Sequence, residues 1–159
     1  MLFGVNRALK VERDEKVFAP GMLRRVSVFL PFIVFIQIAI GGFVASTYSG
    51  MICVDWPYCN GQWVPTLKGP MGLQIVHRFY AYALVLLFVG LAAYSFVKRA
   101  VLPCSVRRLF YAGGGVAVLQ TVVGILNLVF FIPPQITVLH QTLAMLLLAI
   151  CLKLSFEMP

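Results

Sequence analysis

Val26-Ser-Val-Phe-Leu-Pro-Phe-Ile-Val-Phe-Ile-Gln-Ile-Ala-Ile-Gly-Gly-Phe-Val44 carries no charge, and its only strongly polar side chain is Gln37. At 1.5 Å rise per residue such a stretch is about 28 Å long as a helix, enough for the ~30 Å hydrocarbon core of a bilayer. Three further stretches read the same way. Met71–Val97 holds one charge, Arg78, near its first end, whereas Leu109–Phe131 and Ile136–Leu152 hold none. Of the 159 residues 61% are hydrophobic and 11% charged, against about 25% charged in soluble domains. So few charges cannot cover a globule in water. A free-standing soluble domain, a disordered chain and a water-borne nucleic-acid binder are excluded. Neither strand alternation nor repeated ten-residue strands point to a barrel. The expected fold is an all-α integral membrane protein in contact with the lipid bilayer, a bundle of four transmembrane helices at about 24–46, 71–97, 108–131 and 135–156. A tail, 1–22, precedes this membrane domain, 23–159, and a long outer loop covers 47–70. The first apolar segment is too long and too late for a cleaved signal peptide, and no small-residue cleavage site follows it.

Orientation follows from the Lys and Arg positions. Arg7, Lys10, Arg13, Lys16, Arg24 and Arg25 precede the first span. Lys98, Arg99, Arg107 and Arg108 lie between the second and third, and Lys153 ends the fourth. The other two loops hold only Lys68. Both termini and the middle loop are therefore expected on the cytoplasmic side, with loops 45–70 and 132–135 outside. The net charge of +8 reports this topology rather than an anionic partner. Glu12, Asp14 and Glu15 interleave with the basic residues of the tail, which reads as a cytoplasmic surface helix.

Spans one and three share Gln37-x3-Gly41 and Gln120-x3-Gly124; spans two and four share His77-x3-Ala81 and His140-x3-Ala144. The chain is thus a Gln helix followed by a His helix, twice, with both pairs entering the membrane in the same sense. That describes a parallel tandem repeat of two-helix units.

His77 and His140 are the only histidines in the chain. They follow Pro70 and Pro134 by seven and six residues, about 9–10 Å along their helices and at nearly equal depth. Two imidazoles without a third ligand do not make a zinc site. They suit the two axial positions of a haem, whose porphyrin supplies four nitrogens. Ala81 and Ala144 lie on the same faces and leave room for a flat macrocycle, with Phe79, Tyr80 and Tyr82 available to wall it. The competing reading is a pair of interfacial histidines bonded to backbone or water. Arg78 either meets a haem propionate or snorkels to the outer interface. Gln37, Gln120, Asn127 and Gln141 read as interhelical hydrogen bonders, and Gly41-Gly42 and Gly113-Gly114-Gly115 as sites of close helix packing. In the outer loop, Cys53 and Cys59 lie on the oxidising side, where a disulfide persists, static or redox-active. Gly50, Pro57 and Gly61 supply turns there. Cys104 and Cys151 have no evident partner and read as structural.

The stretch Gly41-Gly-Phe-Val-Ala-Ser-Thr-Tyr-Ser-Gly50, then Cys53-x5-Cys59 with Asp55-Trp-Pro57 and Asn60-Gly61, resembles haem A synthase. So do His77-Arg78, Gln120-x3-Gly124 and Leu139-His140, and the likeness covers about residues 24–153. The resemblance implies an oxidoreductase of a prokaryotic plasma membrane that converts the C8 methyl of haem O to the formyl of haem A. It implies haem b as cofactor and haem O as substrate, His77 and His140 as axial ligands to haem iron, and Arg78 beside them. It also implies a Cys53–Cys59 disulfide, with both cysteines and Gln74 as catalytic candidates, and partnership with haem O synthase and terminal oxidase assembly. Typical members have eight helices and two His pairs, one pair for the cofactor and one for the substrate. This chain has one pair, so a homo-oligomer, dimer or trimer, is expected. Gln74 stands where the family's substrate half places a Glu, three residues before the helix-two His. Two other classes compete: a non-catalytic b-type cytochrome carrying electrons, and a quinone-linked thiol oxidoreductase. The latter needs a second thiol pair, which loop 132–135 lacks. A small structural subunit of a respiratory complex is the weakest reading.

Overall fold

The computed structural model describes residues 21–63 and 65–158; the tail read as a surface helix lies, up to residue 20, outside them. Four helices are present, α1 Gly21–Ser46, α2 Gly69–Val97, α3 Cys104–Val129 and α4 Pro134–Glu157. Each is long and apolar enough to cross a membrane. Proline marks their starts. Pro70 sits in the first turn of α2, Pro134 opens α4, and Pro103 precedes α3. At those positions the missing N–H has no intrahelical partner to lose, and the fixed φ already suits a helix. Pro31 lies inside α1, a position tolerated in membrane helices because neighbouring groups satisfy the freed backbone.

The helices form a ring in which α1 packs on α2 and α4, and α3 packs on the same two. Consequently α2 and α4 stand diagonally across the bundle. One end is filled with close-packed side chains. Leu30, Val34, Phe88, Val106, Phe110, Cys151, Leu154 and Met158 are at most 2% exposed there. Between membrane helices such a core holds by van der Waals contact rather than by expelling water. Close approach of α3 to α2 needs Gly113 and Gly114. An ideal Cβ on Gly113 would lie 3.3 Å from Phe88 Cδ1, and one on Gly114 3.1 Å from the Ala92 Cβ. Close packing does not extend to Gly42 or Gly115, which would meet nothing within 4 Å.

The opposite end is closed by loops. A 3-10 turn, Ser49–Ile52, follows α1, and a disulfide joins Cys53 to Cys59. Both sulfurs pack against Ile75 in a small cluster that includes Ile52 and Met71. The α3–α4 turn places Phe131 and Ile132 at φ 60° each, a left-handed conformation that is strained for a β-branched residue. Ile132 N–H donates to the Asn127 carbonyl at 2.7 Å. Its Cδ1 would lie 2.8 Å from any Cβ on Gly50, so the two loops interlock only because residue 50 is glycine.

Candidate functional site

Between the packed end and the loops lies a polar layer contributed by all four helices. His140 on α4 has its Nδ1 3.1 Å from the Gln120 carbonyl oxygen on α3. A carbonyl only accepts, so Nδ1 carries the proton and Nε2 presents a bare lone pair. The Gln120 amide nitrogen reaches that Nε2 only at 3.4 Å. The His140 ring lies against Gly124, where an ideal Cβ would come 2.8 Å from Cε1.

His77 on α2 is held in a parallel way by α1. Gln37 Nε2 donates to the His77 carbonyl at 3.1 Å and lies 3.2 Å from His77 Nδ1. Gly41 forms the seat, its ideal Cβ falling 3.0 Å from Cε1. Each Q-x3-G pattern is thus a glutamine hold and a glycine seat, one helical turn apart, for a histidine of the next helix. Sequence reasoning placed the glutamines between helices but took Gly41 as a packing residue. The recurrence of Q-x3-G in both halves was the signal, and it lacked only the partner.

Three amide oxygens in this layer, Oε1 of Gln37, Gln74 and Gln120, are buried without a hydrogen-bond partner. Gln74, 6% exposed, sits one turn before His77 on α2. A buried amide oxygen left unpaired costs about 1–3 kcal/mol, so these three are acceptors still open to a hydrogen-bond donor. Among the described residues no three His, Cys, Asp or Glu side chains gather into a metal cluster. The two imidazoles suit a metal whose remaining ligands come with it.

Arg78 turns away from this layer. Its guanidinium, 9% exposed, donates from Nη1 to the Tyr58 carbonyl at 2.8 Å and from Nη2 to the Cys53 carbonyl. It therefore clamps both ends of the disulfide loop to α2. Within that loop Cys59 and Gln62 exchange backbone bonds of 2.9 and 3.1 Å across Asn60 (φ 52°) and Gly61 (φ 75°), the residue pair that favours a turn with two positive φ values. The Asp55 carboxylate accepts from the N–H groups of both turn residues, at 2.8 and 3.0 Å. The Gly61 bond, then the Asn60 bond, holds its carboxyl below the usual range. Trp56 Nε1 donates to the Tyr82 hydroxyl at 2.9 Å, a second tie between loop and α2. Tyr80 donates to the Ile33 carbonyl at 3.2 Å, pinning α2 to α1 rather than walling the layer. Cys104 is exposed and Cys151 is buried in the packed end.

The family described as cytochrome oxidase assembly protein, COX15-CtaA, matches residues 1–152. Haem A synthase of Neorickettsia sennetsu is 33% identical over 135 residues, covering 78% of this chain and 40% of that protein. Haem A synthase of a Methylobacterium species is 30% identical over 155 residues, covering 89% and 42%. The haem A synthase COX15 of Saccharomyces cerevisiae is 26% identical over 163 residues, covering 88% and 34%. The chain therefore spans 34–42% of the length of these curated relatives. No solved structure matches it.

Proposed function

Because the chain belongs to the COX15-CtaA family of cytochrome oxidase assembly proteins, we propose that it forms a haem-binding unit of haem A synthesis. In this reading it is an oxidoreductase that serves conversion of the C8 methyl of haem O to the formyl of haem A. His77 and His140, on the diagonal helices α2 and α4, would be the residues that hold haem iron. The observation that carries the reading is the His140 ring, whose Nδ1–H is committed to the Gln120 carbonyl at 3.1 Å. Metal-bound histidines are characteristically held in that way, with the other nitrogen free for the metal. The matching glycine seats against both imidazoles, Gly41 and Gly124, support the fit.

When bound, a haem supplies a redox-active iron whose potential the axial histidines and their hydrogen bonds tune. The chain's own residues do the rest. Gln37, Gln120, Gly41 and Gly124 orient the two rings. Arg78 and the Cys53–Cys59 disulfide hold the loop over one end of the layer, and the packed core keeps water from the other. In the membrane both termini lie on the cytoplasmic side of a prokaryotic plasma membrane, and the disulfide loop faces out. The bundle is a tandem pair of two-helix units, with the two glutamine-and-glycine histidine seats as the trace of the repeat. A second histidine pair, as a cofactor-plus-substrate arrangement requires, comes from a further copy in a homo-oligomer.

Gln74 favours a second reading. A neutral amide neither takes a proton nor stabilises a developing cation by charge, and a b-type cytochrome that only carries electrons needs neither. A thiol relay to quinone has less support, since Cys104 is exposed and Cys151 buried far from the disulfide. One experiment separates these. Protein purified after co-production with haem O synthase is analysed as its pyridine haemochrome. Haem A is expected. Haem b alone establishes the cytochrome, and the lack of any haem overturns both readings.

The disulfide gives a further expectation. Cys53→Ser opens the disulfide while the Arg78 bonds to the loop carbonyls remain, and should lower haem A yield several-fold while the Soret absorbance per chain changes little. An equal loss of both, measured on the same preparation, would assign the disulfide to folding alone.

A further inference from the structure

The two histidines are seated alike but hydrogen-bonded differently. The atom of the Gln37 amide that faces the His77 carbonyl must be the nitrogen, because a carbonyl oxygen only accepts. That nitrogen, 3.1 Å from the carbonyl, is also 3.2 Å from His77 Nδ1. Its second hydrogen is therefore directed at Nδ1, which becomes an acceptor. A neutral imidazole with an accepting Nδ1 carries its proton on Nε2. Across the bundle the order is reversed, because the Gln120 carbonyl makes His140 Nδ1 the donor and leaves Nε2 an acceptor, with only the Gln120 amide nitrogen beside it at 3.4 Å. Only His140 stands in the tautomer that offers its Nε2 lone pair.

We propose that Gln37 is the positioning residue that makes His77 the exchangeable axial ligand, with His140 the fixed one. The proposal rests on the haem-binding reading above and adds an inequality to it. For His77 to offer its Nε2, one proton must leave Nε2 and one must arrive at Nδ1, with no net change of charge. The Gln37 amide must then turn over, so that Oε1 accepts from Nδ1–H. Oε1 is buried and has no partner of its own, so it is available. Turning it over brings it against the His77 carbonyl in place of the 3.1 Å bond now made there. Two acceptors facing each other weaken the arrangement, so the His77 bond to iron opens more readily than the His140 bond. The side of the iron next to α2 is then the one a small ligand reaches.

The test uses purified, haem-loaded protein in detergent, with carbon monoxide as the probe of the reduced form. Wild type is expected to take up carbon monoxide as His77 leaves. Gln37→Glu puts an acceptor beside Nδ1 whichever way the side chain turns. It should favour the bare Nε2 and slow carbon monoxide uptake at least about tenfold, the scale on which outer partners of metal-bound histidines act. Equal uptake rates in wild type and Gln37→Glu overturn the proposal. Should that variant fail to fold, the histidines decide. His77→Ala should retain haem in a five-coordinate spectrum, and equal haem loss from His77→Ala and His140→Ala also overturns it. Wild type without a Soret band removes the haem-binding reading itself, which is a separate outcome.

Discussion

His140→Ala is expected to leave the purified protein almost without haem. Removing an outer partner of a metal-bound histidine typically costs 10–100-fold in affinity, so deleting the ligand itself should cost more than about 100-fold on the same scale. The loss is a site effect. His140 is only half-buried and belongs to neither packed cluster; the core beyond it, built on Leu147, Cys151 and Leu154 of the same helix, is untouched. The fold is therefore retained, and helix content by circular dichroism should match wild type while the Soret band disappears. A His140→Ala protein with undiminished low-spin haem would end the assignment of this ring as an axial ligand. A protein that loses helix content and haem together would show that His140 holds the bundle.

Gly124→Ala should separate stability from binding still more sharply. A methyl at this position meets Cε1 of His140 at 2.8 Å, closer than two carbon atoms can rest. The atom that must yield is the far end of a half-buried side chain, so the ring swings and the backbone stays. In a helix interior Ala is favoured over Gly by about 1 kcal/mol, so the thermal midpoint should hold or rise. Haem affinity should fall roughly 10–100-fold, as when a ligand's support is lost. Gly41→Ala is the internal comparison. Its methyl would sit 3.0 Å from His77 Cε1, so the ring need yield less and the loss should be smaller. A haem titration alongside a melting curve reads both quantities. Unchanged affinity in Gly124→Ala would mean that the glycine serves helix packing and not the histidine.

The helices were legible because membrane spans obey a coarse rule of length and charge. Val26–Val44 meets that rule without any tertiary knowledge, and Pro70, Pro103 and Pro134 mark where helices begin. The histidines were legible because polar side chains are rare in such spans. What each one touches was not. Gln37 and His77 are 40 residues apart, and Gln120 and His140 are 20 apart. Nothing along one helix says which partner a glycine faces on the next. Arg78 shows the limit most plainly. Its partners are the carbonyls of Cys53 and Tyr58, and every residue has a carbonyl. No side-chain pattern could announce that a charge placed for a propionate or the interface would clamp a loop. The left-handed Ile132 was equally hidden, since β-branched residues avoid that conformation and its bond to the Asn127 carbonyl and its fit against Gly50 are seen only in the folded chain.

The packed end bears on the energetics of the membrane that holds this chain. Histidines and glutamines stacked through a bundle are the materials of a proton wire, and a respiring membrane cannot tolerate one that runs from face to face. In the packed end below His77 and His140 the buried hydroxyls of Ser27 and Ser95 are tied to the Met158 sulfur and the Ala92 carbonyl. Beyond the histidines Leu30, Phe88, Phe110 and Leu154, each at most 1% exposed, leave no hydrogen-bonding side chain among themselves to carry a proton onward. That end of the bundle is packed shut, so the redox chemistry proposed for the histidine layer would proceed without short-circuiting the proton gradient.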